Sequence, residues 1–285
     1  MPSIQTYLSP AKVNLFLRVL RKRADGYHDI MSLMQPISLY DEISLDIREG
    51  RGISIECDNI SIPVDRTNLA FKAAEAFFKT TGINNKAIIK IKKRIPVAAG
   101  LGGGSSNAAT VLMALNELTS LNLSANDLAK IGLAIGSDVP FFLVGKPCLA
   151  KGRGEILEPV ELPRFWYVLI NPGFPVSTQW VYRNLNLTKN IENININISK
   201  VSKNIVAIQR LLINDLEAVT LRKHYEIQEL KDALLALDAT GALMSGSGPT
   251  VFGVFLNKGK AKKAFEQIKK DRRFKDMAVF IAQGL

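Results

Sequence analysis

Cysteine is nearly missing from this chain of 285 residues: only Cys57 and Cys148 occur, far apart and with no CxxC partner. That scarcity argues against a zinc site or a disulfide framework and fits two reduced thiols in a cytosolic protein. Long hydrophobic runs are missing too. No stretch reaches the roughly 18 apolar residues of a membrane-spanning helix, so no membrane partner is expected. Residues 1–20 hold no charged segment followed by a long apolar run, so no secretory signal is expected either. Basic residues outnumber acidic ones, 37 to 26, giving a formal charge of +11. Such an excess favours anionic partners, with phosphorylated metabolites and nucleic acid both in view. The basic residues form only short clusters, at Arg21, Lys22 and Arg23, at Lys90, Lys92, Lys93 and Arg94, and at Lys269, Lys270, Arg272 and Arg273. None is a stripe interleaved with aromatics, so no nucleic-acid partner is expected and the clusters should be solvated faces.

What is present suffices for a sizeable core, since 47% of the residues are hydrophobic. The length fits one large domain or two ordinary ones. Residues 15–20 and 37–47 read as strands around an Asp25-Gly26 turn. Residues 65–67 offer a cap for a helix running to about residue 80, stopped by Gly82. Residues 87–95 alternate as a strand, ended by Pro96, and residues 106–118 read as a helix. Ser124 with Asp127 opens another helix, ending near Gly136. Residues 148–170 are β-rich until Asn171-Pro172-Gly173. The Asn- and Ile-rich stretch 191–204 reads as a surface connector. Helices are expected at 206–220 and 225–237. A strand to Met244, a strand at 250–255, a helix at 260–270 and a strand at 277–282 close the chain. That ending suits an antiparallel sheet with helices on one face, so the fold class is α+β. The domain boundary falls at 155, giving residues 1–155 and 156–285.

The strongest local signal is the run Pro96, Val97, Ala98, Ala99, Gly100, Leu101, Gly102, Gly103, Gly104, Ser105, Ser106 between a strand and a helix. Clustered glycines let the backbone approach a ligand and take positive φ. The helix that follows aims its free N–H groups and dipole at whatever sits in the turn, which makes an anion site. Ser105 and Ser106 can cap that helix or lend hydroxyls to phosphate or a metal ion. No Gly-Lys-Ser/Thr follows, and the glycine spacing is wrong for a dinucleotide fingerprint. Two further segments stand out: Ser9-Pro10-Ala11-Lys12-Val13-Asn14 ahead of an apolar strand, and the Gly/Ser loop Ser245-Gly246-Ser247-Gly248 between two strands.

In order and spacing the three segments resemble the three motifs of the GHMP kinase superfamily (galacto-, homoserine, mevalonate and phosphomevalonate kinases). The resemblance spans nearly the whole chain. It implies a two-domain GHMP kinase fold, with an N-terminal ribosomal-protein-S5-type nucleotide-binding domain and a C-terminal ferredoxin-like domain. Arg23-Ala24-Asp25-Gly26-Tyr27-His28, the run from Gly102 to Ala109, and Gly136-Ser137-Asp138-Val139-Pro140 resemble the branch that acts on 4-diphosphocytidyl-2-C-methyl-D-erythritol. The implied activity is ATP-dependent phosphorylation of its 2-hydroxyl.

The same resemblance assigns roles. The cradle from Pro96 to Ser106 would hold ATP phosphates, with Asn68 near the adenine. Asp138 would be the base, on a short fixed loop between Gly136 and Pro140, and Lys12 would keep it ionised and stabilise developing charge. Tyr27 and His28 would recognise the cytosine, Tyr182 would cover its other face, and Asn14, Gly246 and Ser247 would complete the substrate site. Mg2+ is implied by ATP chemistry. No pair of acidic residues marks its site, which leaves Ser105 or Ser106. The partner is therefore a small cytidine-diphosphate-linked molecule, and the protein is expected to be cytoplasmic and a monomer or weak homodimer. Homoserine or phosphomevalonate kinase activity is the nearest alternative. A non-catalytic nucleotide binder and a basic RNA-binding protein are the alternatives of another class.

Overall fold

A computed structural model describes residues 4–187 and 205–285. The expected connector at 191–204 lies outside the described residues. The chain forms two compact units of three segments each: Met1–Ala11, Tyr40–Ile95 and Gly102–Gly145 in the first, Lys12–Leu39, Pro96–Leu101 and Lys146–Leu285 in the second. Two long strands, β1 (Gln5–Lys22) and β2 (His28–Glu49), contribute residues to both.

In the first unit β2 pairs antiparallel with β4 (Asn85–Lys92), and β3 (Gly52–Cys57) pairs parallel with β4. The pleat sends Ile43, Leu45, Ile55, Ile89 and Ile91 to the buried face, while Lys90 and Lys92 point to solvent. Parallel neighbours need a crossover, and α1 (Leu69–Thr81) supplies it. Its buried Ala70, Ala73, Ala74 and Phe77 fall at helical spacing on one face. The cap is Asn68, whose side chain accepts from Ala70 N at 2.9 Å. It is not at 65–67 as the sequence suggested, because Asp65 instead accepts from Thr67 N within its own turn. Gly82 stops the helix at φ 72 and donates its N–H to Phe78 O. α2 (Gly103–Leu118) packs on α1, and α3 (Ala125–Ile135) and α4 (Val139–Val144) follow. Ser124 caps α3 as expected, accepting from Asp127 N. One expectation about charge fails here. Lys93 is no solvated cation: its side chain is 5% exposed and pairs with Asp41.

In the second unit β5 (Cys148–Gly152) pairs with β2 from Ile30 to Met34, and β6 (Ile156–Pro159) pairs with β5. The β-rich stretch from 148 is thus broken before β7 (Trp166–Asn171), first at Gly152 (φ 69) and Gly154 (φ 114), which turn the chain back. After β7 come α5 (Thr178–Arg183), α6 (Ile205–Leu211), β8 (Ile213–Asn214), α7 (Glu217–Leu221) and α8 (Glu226–Ala236). The chain ends with β9 (Gly241–Met244), β10 (Val251–Phe255), α9 (Lys258–Lys270) and β11 (Ala278–Gln283). The sheet order β11-β7-β10-β9, antiparallel throughout, is the β-α-β-β-α-β ferredoxin-like arrangement expected. Val168, Ile170, Met244, Val251 and Phe255 on the sheet pack with Ile227, Leu230 and Leu234 of α8 and Ala261, Ala264 and Ile268 of α9.

The single helix expected at 206–220 does not form. β8 pairs with β1 instead (Phe16↔Ile213, Leu17↔Asn214), Asp215 accepts from Val19 N and Arg18, and Asn214 Oδ1 accepts from Leu216 N. Those bonds to β1 satisfy backbone and side chains better than one more helical turn, and they split the segment.

Candidate active site

The glycine-rich run divides between the units. In the second unit Lys12 and Asn14 are buried, 4% and 3% exposed, so Lys12 is no surface cation. Lys12 Nζ donates to Asn14 Oδ1 and, at 2.9 Å, to Gly100 O. Asn14 Nδ2 donates to Ser32 Oγ, which donates to Phe16 O, so the relay fixes which end of the amide faces the lysine. Lys12 N donates to Leu101 O. The loop 245–250 closes on the same turn: Ser245 Oγ donates to Gly100 O at 2.9 Å, and Thr250 N donates to Ala99 O at 3.4 Å. Gly100 sits at φ 75, and a Cβ there would run into the Ser245 carbonyl group. Gly246, at φ 57, lies where a Cβ would be 3.4 Å from both Asn14 Oδ1 and Lys12 Nζ. Pro96 is half-buried, and Val97 and Ala98 are exposed, Ala98 at φ 50.

In the first unit α2 begins at Gly103 behind Gly102, a cap at φ 71 that offers no side-chain bond. Neither serine caps the helix, contrary to expectation. Ser106 is fully buried and accepts from Ser9 Oγ at 2.8 Å, while Ser105 stays half-buried. The first-turn N–H groups thus get no acceptor from the cap, and Gly104 is exposed beside them. This is the arrangement an anion would complete. Positive φ is needed at Gly100 and Gly102 and not at Gly103 or Gly104. Asp138 is half-buried at the head of α4 and makes no capping bond, so its carboxylate is not used up as a cap. Asn68 is 8% exposed and spends its amide on α1, accepting from Ala70 N and donating to Pro63 O.

Tyr27, His28 and Tyr182 lie in the second unit. His28 stacks on Tyr182, with ring centroids 5.1 Å apart and planes 28° apart. Tyr182 thus meets His28, while Tyr27 is 54% exposed and has the Arg153 guanidinium 4.8 Å from its ring centroid. Burial, with the nearby charge of Lys22, holds the His28 pKa below its usual value. The hairpin turn carrying both residues is tied by Arg23 to Asp25 and Asp29, and Asp25 also accepts from Tyr27 N. Ser177 caps α5 by accepting from Trp180 N, which sets Tyr182 on its first two turns.

Sequence reasoning missed the residues that fix the second glycine loop. Asn214 Nδ2 donates to Met244 O and Gly246 O, Thr178 Oγ1 shares a hydrogen bond with Ser247 Oγ, and Thr220 Oγ1 donates to Ser247 O. An Asn inside an apparent helix carried no signal. Arg153 was missed likewise, since it lies far from the Tyr27 hairpin in sequence.

Comparison with known proteins supplies the context. The chain matches the model for "GHMP kinases N terminal domain" over residues 68–146 and that for "GHMP kinases C terminal" over residues 189–272. It is 49% identical over 277 residues to a 4-diphosphocytidyl-2-C-methyl-D-erythritol kinase of Syntrophotalea carbinolica, covering 97% of this chain and 98% of the relative. It is 51% identical over 259 residues to the protein of that name from Syntrophus aciditrophicus, covering 90% and 92%. A crystal structure of 4-(cytidine 5'-diphospho)-2C-methyl-D-erythritol kinase superposes with a TM-score of 0.84 at 34% identity, over 98% of this chain and 99% of that one. A homoserine kinase from Cytophaga hutchinsonii, at TM-score 0.77 and 20% identity over 100% of this chain and 95% of that one, shares the fold. With its lysine-backed glycine turn, its second glycine loop and relatives matched nearly end to end, the chain belongs to the 4-diphosphocytidyl-2-C-methyl-D-erythritol kinase family of GHMP kinases.

Proposed function

We propose that this protein transfers the γ-phosphoryl group of ATP to the 2-hydroxyl of 4-diphosphocytidyl-2-C-methyl-D-erythritol, giving the 2-phosphate and ADP in the non-mevalonate route to isoprenoid precursors. The observation that carries this reading is the 49% identity to a relative of that name over 98% of its length. The ATP-binding domain is assigned to residues 1–155 and the C-terminal domain to residues 156–285.

Phosphoryl transfer asks a protein for positioning and for compensation of moving charge. The turn from Pro96 to Ser106 is assigned to the ATP phosphates, held by backbone N–H groups and the α2 dipole. Asn68 shapes the adenine side by fixing the start of α1. Lys12, already oriented by Asn14, supplies a cation for charge developing on the phosphoryl group. Asp138 is the proton acceptor for the 2-hydroxyl. Tyr27, His28 and Tyr182 receive the cytosine, which requires the His28–Tyr182 stack to open or shift. Gly246 and Ser247 lie on the acceptor side.

Among the described residues no three His, Cys, Asp or Glu side chains converge on a metal position. The donors on offer are hard oxygens, the Ser105 hydroxyl and the phosphates of ATP itself, and that set suits Mg2+. Held there, Mg2+ would supply positive charge to offset that of the nucleotide phosphates. Ser106, buried against Ser9, is the poorer of the two candidates.

No helix among the described residues is long and apolar enough to cross a membrane. A cytoplasmic monomer or weak homodimer with no nucleic-acid partner completes the proposal. The test is ATP turnover against a panel of acceptors that includes homoserine and phosphomevalonate. Turnover of either alone, with none of the cytidyl substrate, would reject the assignment.

A further inference from the structure

The first unit contains a buried polar cluster with no place yet in the chemistry. The Asp41 side chain, on β2, is 0% exposed. Its Oδ1 accepts from Arg94 N at 2.8 Å and Ile95 N at 2.9 Å. Its Oδ2 accepts from Asn107 Nδ2 at 2.9 Å and from Lys93 Nζ. Asn107 Nδ2 also donates to Ser9 Oγ at 2.9 Å, and Ser9 Oγ donates to Ser106 Oγ. The pairing of β2 with β4 ends at Glu42↔Lys92. Past that point the N–H groups of Arg94 and Ile95 have no strand to bond, and the carboxylate takes both.

One side chain therefore holds the two residues just before the glycine-rich run and, through Asn107 and Ser9, the first full turn of the helix just after it. The run itself has few side chains with which to define its own shape, and glycine resists ordering more than any other residue. Bonds to Ala99, Gly100 and Leu101 hold its middle, and the spacing of its two ends must be imposed separately. The same cluster also lies against the start of α2: a Cβ on Gly103 would lie 3.0 Å from Ile95 Cγ2 and 3.2 Å from Lys93 Nζ.

We propose that Asp41 is a positioning residue for nucleotide binding, setting the spacing between the two ends of the glycine-rich cradle through Ile95 and Asn107. This rests on the assignment of that cradle to ATP phosphates. Asp41 acts through the backbone and touches no substrate itself. A buried ion pair kept only for stability would leave the nucleotide site unaltered once the protein had folded. A positioning residue would not.

Asp41→Asn separates the two cases. It keeps one carbonyl oxygen for Arg94 and Ile95 but turns an NH2 group towards Asn107 Nδ2 and Lys93 Nζ, donors facing donors. The expected result is a rise in KM for ATP, and in Kd for an unhydrolysable ATP analogue, on the order of tenfold, with KM for the acceptor unchanged. The double variant Asp41→Asn with Asn107→Asp moves the carboxylate across the cluster and should recover much of the ATP affinity. Should Asp41→Asn fail to fold, Asn107→Ala and Ser9→Ala each remove part of the link, and each should raise KM for ATP by severalfold. Unchanged ATP affinity in whichever of these variants fold, with only the melting temperature lowered, would overturn the inference. Absence of ATP binding in the parent protein would instead overturn the kinase reading beneath it.

Discussion

Replacing Gly100 with alanine tests the junction of the glycine cradle and the second glycine loop most sharply. Two effects add. At φ 75 an L-residue is disfavoured by roughly 1–2 kcal/mol. The new methyl would also lie 3.0 Å from Ser245 C and 3.1 Å from Gly248 N, and nearer still to the Ser245 carbonyl oxygen. These are backbone atoms with no flexible end to swing aside, so the loop must retreat. Gly100 O accepts from Lys12 Nζ and Ser245 Oγ, and retreat breaks or stretches both bonds. Losing a bond from a charged donor removes roughly 1.5–3 kcal/mol and a neutral one roughly 0.5–1.5 kcal/mol. The sum is about 3–6.5 kcal/mol, which for a chain of this size lowers the melting temperature by roughly 6 °C or more. Scanning calorimetry measures that directly, and titration with an unhydrolysable ATP analogue should show affinity reduced at least about tenfold as the cradle shifts. Gly173→Ala is the control: its φ is 89 but nothing lies within 4 Å of the added methyl, so only backbone strain remains, about 1–2 kcal/mol. Equal losses in the two variants, or intact ATP affinity in Gly100→Ala, would show that contact with the Ser245 loop does not shape the nucleotide site.

Asp138→Asn should retain fold and ATP affinity, because the side chain caps nothing, and lose about 10²–10⁴-fold in kcat; turnover near that of the parent would remove Asp138 from the base role. With the ATP site filled by an analogue, calorimetry should find CDP bound more tightly than UDP, since a site made for the cytosine edge leaves polar groups unpaired against uracil, and Tyr27→Ala should weaken CDP alone. Burial pushes the Cys148 thiol up to about 11, so at pH 8 an aromatic disulfide reagent should titrate at most Cys57 in the native protein and both thiols after unfolding. Because folding lowers the His28 pKa, the unfolded chain binds the extra proton first as pH falls, so stability should decline below pH 6.5 more steeply in the parent than in His28→Gln; identical slopes would argue against a buried, neutral imidazole.

Much of this was legible in the residues. The alanine face of α1, the Gly82 stop, the Ser124 cap and the closing strand–strand–helix–strand pattern follow from local rules that use neighbours in sequence. The glycine run declared itself as a strand-to-helix turn with positive φ for the same reason. What stayed hidden depends on partners far along the chain. Lys12 and Lys93 look like surface cations until Asn14 and Gly100, or Asp41, are brought beside them. Ser106 looks like a helix cap until it is found buried, accepting from Ser9 Oγ. Asn214 reads as helix interior because nothing nearby in sequence reveals the Met244 and Gly246 carbonyls its amide will meet. That Tyr182 stacks on His28 was hidden similarly, since which of two adjacent ring residues a helix meets depends on how that helix docks.

The alternation of segments between the compact units limits how this chain could be cut or recombined. Expressed alone, residues 146–285 would leave Tyr167 without Gln35, β5 without Ile30–Met34 opposite it, and β8 without Phe16 and Leu17. The fragment would expose an unpaired strand edge and a buried tyrosine hydroxyl, both of which invite aggregation. A chimera between relatives that exchanged the C-terminal part at one crossover would inherit mismatched seams for the same reason. Segments Lys12–Leu39 and Pro96–Leu101 would have to travel with it, so coordinated change across distant stretches, rather than swapping of modules, is the route by which such a fold can vary.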